Sequence, residues 1–139
     1  MSILLTSSSS IKLEVVRKVF PLFDIHTVNV PESSKWKNPE QPFGIDENGH
    51  TSALKCASNR IRSLFDTVFD ADNISAMFKN NTRYIISIEN GVVASSDGIL
   101  QDICEVFLFD IKTNEKISTR YFVKHIRVNI PNSAKYLEQ

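Results

Sequence analysis

The sequence predicts an α/β fold, a mixed and partly parallel central sheet with helices flanking it. Three observations lead there. A short apolar run, a serine loop, a helical period and a second extended run follow one another at the start of the chain, as in a parallel β-α-β unit. The strongest helical stripe lies near the middle, and the later part alternates extended runs with turn residues, as antiparallel strands do.

Taken in order, Ile3 to Thr6 reads as a buried strand bounded by Ser7-Ser8-Ser9-Ser10. Ile11, Val15, Val16 and Val19 then recur at helical spacing, with Lys12, Glu14, Arg17 and Lys18 on other faces, and Pro21 stops this helix after Phe20. Ile25, Thr27 and Asn29 alternate with His26, Val28 and Val30, which predicts a second strand lying parallel beside the first. Pro31 to His50 reads as a long loop, a kind of segment that is either functional or disordered.

Ala53, Leu54, Ala57, Ile61, Leu64, Phe65 and Val68 form the apolar stripe of the main helix. Ile74, Met77 and Phe78 allow a short helix within Asp70 to Asn81, closed by a turn at Asn80-Asn81. Tyr84 to Ile88 reads as a strand, Glu89-Asn90-Gly91 as a turn or bulge, and Val92 to Ala94 as renewed extension. Cys104 to Ile111 and Ser118 to Val123 flank Lys112-Thr113-Asn114-Glu115-Lys116 as a hairpin, and Val128 to Ile130 forms a last short strand that Pro131 ends.

Length and composition narrow the function. At 139 residues the chain suits a single domain, 1–139, able to bury a sizeable core. Lys plus Arg and Asp plus Glu number 16 each, so no general nucleic-acid surface is expected. Cys56 and Cys104 match no metal or redox spacing and read as small hydrophobes of a reduced protein. No apolar run approaches the ~20 residues of a membrane span. A cytoplasmic protein with no membrane partner is therefore expected.

The chemistry concentrates in three places. Pro39-Glu40-Gln41-Pro42-Phe43-Gly44 is a rigid turn just ahead of the main helix, whose N-terminus attracts anions. The loop Ser7-Ser8-Ser9 between a strand and a helix offers hydroxyls and backbone N–H groups to phosphate oxygens, with Lys12 adding a full charge. It is not a Walker A loop, since it lacks the glycines. Asp46, Glu47 and Glu89 each adjoin a turn and are the best-placed carboxylates for a divalent cation. Of Arg60 and Arg62, at most one can face a shared site. The scattered His26, His50 and His125 show no ligand spacing, and no Ser or Cys sits in a nucleophile elbow.

Together these motifs resemble the inosine/xanthosine triphosphatase family, the non-canonical purine nucleoside triphosphate phosphatases. The family hexapeptide P-E-Q-P-F-G stands unchanged at Pro39 to Gly44. Thr6-Ser7-Ser8-Ser9-Ser10-Ile11-Lys12 stands in place of G-S-T-N-P-x-K, Ala57-Ser58-Asn59-Arg60-Ile61 resembles A-x-N-R-A, and Ser87-Ile88-Glu89-Asn90-Gly91-Val92 resembles G-I-E-x-G-V. Val106 to Phe109 and Ile130-Pro131 resemble the later aromatic strands and the L-P segment.

The resemblance implies an elongated ITPase-like fold with a nucleotide cleft and Mg²⁺- or Mn²⁺-dependent hydrolysis of ITP and XTP. In that scheme Lys12 and Glu89 are catalytic and Asp46, Glu47 and Glu89 hold the metal. Ser7, Ser8, Ser9, Lys12, Gln41, Phe43 and Arg60 bind the nucleotide. The chain also departs from the family. Ser9-Ser10 replaces Asn-Pro, Arg83 stands where an acid is expected, extra residues follow Gly44, and the sequence stops soon after Pro131. These departures set a second expectation beside the first: a catalytically inactive domain that keeps a nucleotide- or protein-binding role. A homodimer through exposed strand edges is a third.

Overall fold

The computed structural model describes residues 1–30, 37–39, 41–68 and 81–127, with the side chains of 67, 68 and 123–127 left aside. Its elements are β1 (Ser2–Leu5), α1 (Ser10–Val19), β2 (Asp24–Thr27), α2 (Ser52–Ser63) with one π-type turn at Leu64–Val68, β3 (Thr82–Ala94), β4 (Ile99–Asp110) and β5 (Lys116–Arg127). The strands form one mixed sheet in the order β2-β1-β3-β4-β5. β1 runs parallel to both β2 and β3, while β3-β4 and β4-β5 are antiparallel. The expected mixed α/β sheet is thus present. No helix among the described residues is long and apolar enough to cross a membrane.

Alternation along the central strands divides the apolar residues between two cores, one on each face of the sheet. Ile3 and Leu5 of β1 with Ile86 and Ile88 of β3 pack on Val16 of α1, extended by Leu13, Phe20, Phe23 and Tyr84. On the opposite face Ile85 packs with Ile61, Leu64 and Val30, and Phe65 meets Phe109 edge-on at 5.8 Å. Helix α2 is set by its cap: the Thr51 side chain accepts the Leu54 N–H at 3.1 Å.

Helix α1 presents a different face from the one its spacing suggests. Of the stripe Ile11, Val15, Val16 and Val19, only Val16 is buried; Ile11 is 74 %, Val15 50 % and Val19 64 % exposed. The reason is rotational. Lys12, Leu13, Val16 and Phe20 form the inward side: Leu13, Val16 and Phe20 pack on the sheet, and Lys12 reaches a β3 carbonyl described below.

The Glu89-Asn90-Gly91 segment is no turn. β3 runs unbroken through it, each residue paired with β4 from Glu105 back to Ile103. Gly91 is needed for close approach: a Cβ there would lie 2.7 Å from the Ala53 Cβ and 3.1 Å from the Pro42 carbonyl oxygen. The hairpin between β4 and β5 turns at residues 111–115, with Asn114 at φ 61°. The short helix expected in Asp70 to Asn81 falls on 70–80, and the last strand on 128–130; both lie outside the described residues.

Candidate functional site

The edge of β3 beyond the end of β1 organises the candidate site. β1 is shorter than β3, and its pairing ends where the Thr6 N–H donates to the Ile86 carbonyl at 3.0 Å. Further along the same edge the hexapeptide takes over. Val92 N–H donates to the Pro42 carbonyl at 3.0 Å, Gly44 N–H to the Val92 carbonyl at 2.8 Å, and Phe43 bridges Val92 in parallel sense. Ile86 and Val92 are separated by roughly 20 Å of extended chain at ~3.3 Å per residue. Between them no other strand among the described residues pairs with this edge, which leaves a notch there, and Lys12 reaches it: its ammonium donates to the Ile88 carbonyl at 2.8 Å.

The hexapeptide therefore works as a strand-like clamp on β3. Gly44 adopts φ 92°, a backbone conformation that side chains disfavour, and its carbonyl then accepts the Ser52 N–H at 3.0 Å. Pro42 is buried, Phe43 half-buried and Gln41 exposed, the Gln41 amide donating to the Pro42 carbonyl at 3.2 Å.

On the other side of the notch the serine loop caps α1. Ser7 Oγ accepts the Ser9 N–H at 3.1 Å, and Ser9 is the N-cap whose Oγ accepts the Lys12 N–H at 3.4 Å. Ser8 is exposed. The first turn of α1 carries no acidic residue, so the positive end of its dipole and the Lys12 ammonium act in the same direction. The Lys12 ammonium has three donors, and the Ile88 carbonyl takes one.

Glu89 follows Ile88 and points to the opposite face, where it is 8 % exposed and paired with Arg60 of α2. Directly across on β4 stands Glu105, 1 % exposed. It accepts the Thr51 hydroxyl at 2.8 Å and a bond from Arg120, which lies opposite it on β5. Arg120 also donates to the Gly49 carbonyl at 3.1 Å. A row of Arg60, Glu89, Glu105 and Arg120 thus crosses three strands and the α2 flank, each buried acid compensated by one guanidinium. Cys104, the neighbour of Glu105 on β4, faces the α1 core on the other side of the sheet. Burial pushes its thiol up, the nearby Lys12 cation pulls it down, and the Glu105 and Glu89 carboxylates raise it further.

Asp46 is committed elsewhere. Its carboxylate accepts the Asn48 and His50 N–H groups at 2.9 Å each and the Lys55 ammonium at 2.7 Å. The Lys55 bond, aided by those amides, holds its carboxyl at about 2. Glu47 is exposed on the same loop. Among the described residues no three of His, Cys, Asp and Glu gather as a group that could hold a metal ion. As they stand, Asp46, Glu47 and Glu89 do not fit a Mg²⁺ or Mn²⁺ site. Arg83 forms a two-pronged pair with Asp110, at 2.9 Å for each bond, near the start of β3 and away from the Lys12 notch.

The structure therefore places Ser7, Ser9 and Lys12 at the start of α1 on one face of the sheet, Glu89 and Arg60 on the opposite face, and the hexapeptide along the β3 edge between them, and keeps Asp46 and Glu47 with the loop before α2. Glu105, Thr51 and Arg120 join the neighbourhood without having been expected. A charged residue inside the apolar run Ile103 to Leu108 was the available signal for Glu105. No protein-family model matches this sequence, and no curated protein does.

Proposed function

We propose that this domain binds a purine nucleotide such as ITP or XTP by its phosphates and does not hydrolyse it. The observation that carries the reading is the notch on β3, walled by the serine loop on one side and the hexapeptide on the other, with the Lys12 ammonium anchored inside it. Phosphate oxygens would take the remaining Lys12 protons and the N–H groups of the α1 N-terminus. The reading includes the elongated, cleft-bearing ITPase-like fold that the sequence motifs suggest.

Turnover is set aside on the state of the carboxylates. Glu89, at the acidic position of the Ile88-Glu89-Asn90-Gly91 motif, is held by Arg60, and Asp46 is held by Lys55 and two amides. An acid bound in this way is a poor metal ligand or base, because its lone pairs and charge are already engaged. Calorimetric titration with ITP tests the proposal. Saturable binding that Lys12→Ala removes is expected, and identical titrations for the two proteins would overturn it.

A further inference from the structure

One row of side chains on the α1 face of the sheet lies beside Lys12 and is left open. β3 sets Asn90 opposite Cys104 of β4, and β5 sets Tyr121 opposite the same Cys104. Residues directly opposite one another project to the same face. Cys104 packs against the α1 cluster, so Asn90 and Tyr121 share that face with it. Asn90 is exposed, Tyr121 is 60 % exposed, and Cys104 is half-buried between them. Among the described residues neither the Asn90 carboxamide nor the Tyr121 hydroxyl has a hydrogen-bond partner.

The row adjoins the candidate phosphate site. Ile88, whose carbonyl holds the Lys12 ammonium, precedes Asn90 by two residues of β3, ~7 Å of strand. The Lys12 cation is also close enough to pull on the Cys104 thiol. On the other side, one pair beyond, the half-buried Asp102 stands opposite Val92, and its place two residues from Cys104 puts it on the same face. A cation at one end of the row and a carboxylate at the other direct the charged end of a nucleotide toward Lys12.

The three side chains make a slot for a flat ring. Asn90 and Tyr121 stand two strand spacings apart, about 10 Å, with the smaller Cys104 as the floor between them. Tyr121 offers an aromatic face, on which any nucleobase stacks. The Asn90 carboxamide both donates and accepts, as the ring N–H and oxo edge of hypoxanthine or xanthine requires.

We propose that the row Asn90, Cys104 and Tyr121 is the base subsite of the nucleotide whose phosphates are held at Lys12. The purine lies over Cys104, stacked on the Tyr121 ring, with its oxo edge toward Asn90. This rests on the nucleotide reading above and adds to it the residues that tell a nucleotide from a bare phosphate chain.

Inorganic tripolyphosphate, which carries the phosphates without a base, separates the row from Lys12. The full chain and its variants are titrated calorimetrically with ITP and with tripolyphosphate. Tyr121→Ala should weaken ITP binding about tenfold, as for loss of one stacked ring, and leave tripolyphosphate binding unchanged. Asn90→Ala should act in the same direction, Tyr121→Phe should stay near the parent, and Lys12→Ala should lose both ligands. Both altered side chains are exposed, so the variants should keep the circular dichroism of the parent.

Thiol labelling of the parent with an aromatic disulfide reads the row without mutation. Cys56 is 2 % exposed, which leaves Cys104 as the thiol that reacts in the folded protein. ITP should slow that reaction several-fold more than tripolyphosphate does. Equal ITP affinity in the parent and both alanine variants would overturn the base subsite while Lys12-dependent phosphate binding stands, as would equal labelling rates with the two ligands. Failure of both ligands to bind the parent would overturn the nucleotide reading and the subsite with it.

Discussion

Gly91→Ala probes the junction on which the candidate site depends. The added methyl would lie 2.7 Å from the Ala53 Cβ and 3.1 Å from the Pro42 carbonyl oxygen, so both α2 and the hexapeptide would have to move away from β3. Neither is a flexible side-chain end. Ala53 sits in the first turn of α2, and Pro42 is tied to Val92 by a backbone bond of 3.0 Å. Overpacking of this kind costs about 1–3 kcal/mol. With a urea m-value of about 2 kcal/mol/M, a loss of ~2 kcal/mol lowers the unfolding midpoint by about 1 M. Equilibrium urea unfolding followed by circular dichroism reads that shift. Ala53→Gly alone should cost up to about 1 kcal/mol of helix propensity. In the double variant the two losses should not add, because removal of the Ala53 methyl relieves the closer contact. A Gly91→Ala midpoint equal to that of the parent would refute the close approach, as would full additivity in the double variant.

Other outcomes follow from the same geometry. Arg83 and its flanking amides hold the Asp110 carboxyl at about 2, below the ordinary 3.8. The pair therefore stabilises fully above that ordinary value, and the contribution is lost as pH falls toward about 2. Urea midpoints of the parent and Asp110→Asn, measured from neutral pH into acid, should differ at neutral pH and converge at the acid end. Thr51→Ala removes the α2 cap, worth about 1 kcal/mol, and one donor to the buried Glu105, worth about 1–3 kcal/mol, while Thr51→Ser should stay near the parent in thermal unfolding. Lys12→Ala should leave the unfolding free energy from urea titration within about 1 kcal/mol of the parent, as for loss of one hydrogen bond, while nucleotide binding disappears.

Much of the fold could be read from the sequence because its cues were local. The short apolar run, the serine loop at Ser7 to Ser10 and the stop at Pro21 marked β1 and α1 to within a residue, whereas β2, expected from Ile25 to Val30, ends at Thr27. What escaped depended on distant partners. The face of α1 was misjudged because Ile11, Val15 and Val19 form as regular a stripe as a core would need, whereas Leu13, Val16 and Phe20 are the residues that pack on the sheet. Gly91 looked like a turn because glycine usually punctuates strands, whereas here it admits α2 and the hexapeptide. Arg60 could be nominated from sequence, but its pairing with Glu89 depended on how α2 lies on β3. Glu105 and Arg120 became visible only once the register of the β4-β5 hairpin placed them face to face.

The central claim is nucleotide binding at the Lys12 notch without turnover. Incubating the protein with ITP and Mg²⁺, with bound nucleotide and released phosphate followed in the same sample, tests it most directly. Saturable binding that Lys12→Ala abolishes, with phosphate release no faster than in buffer, is the predicted result. Phosphate release that requires both the protein and Mg²⁺, or the absence of any ITP binding, would contradict it.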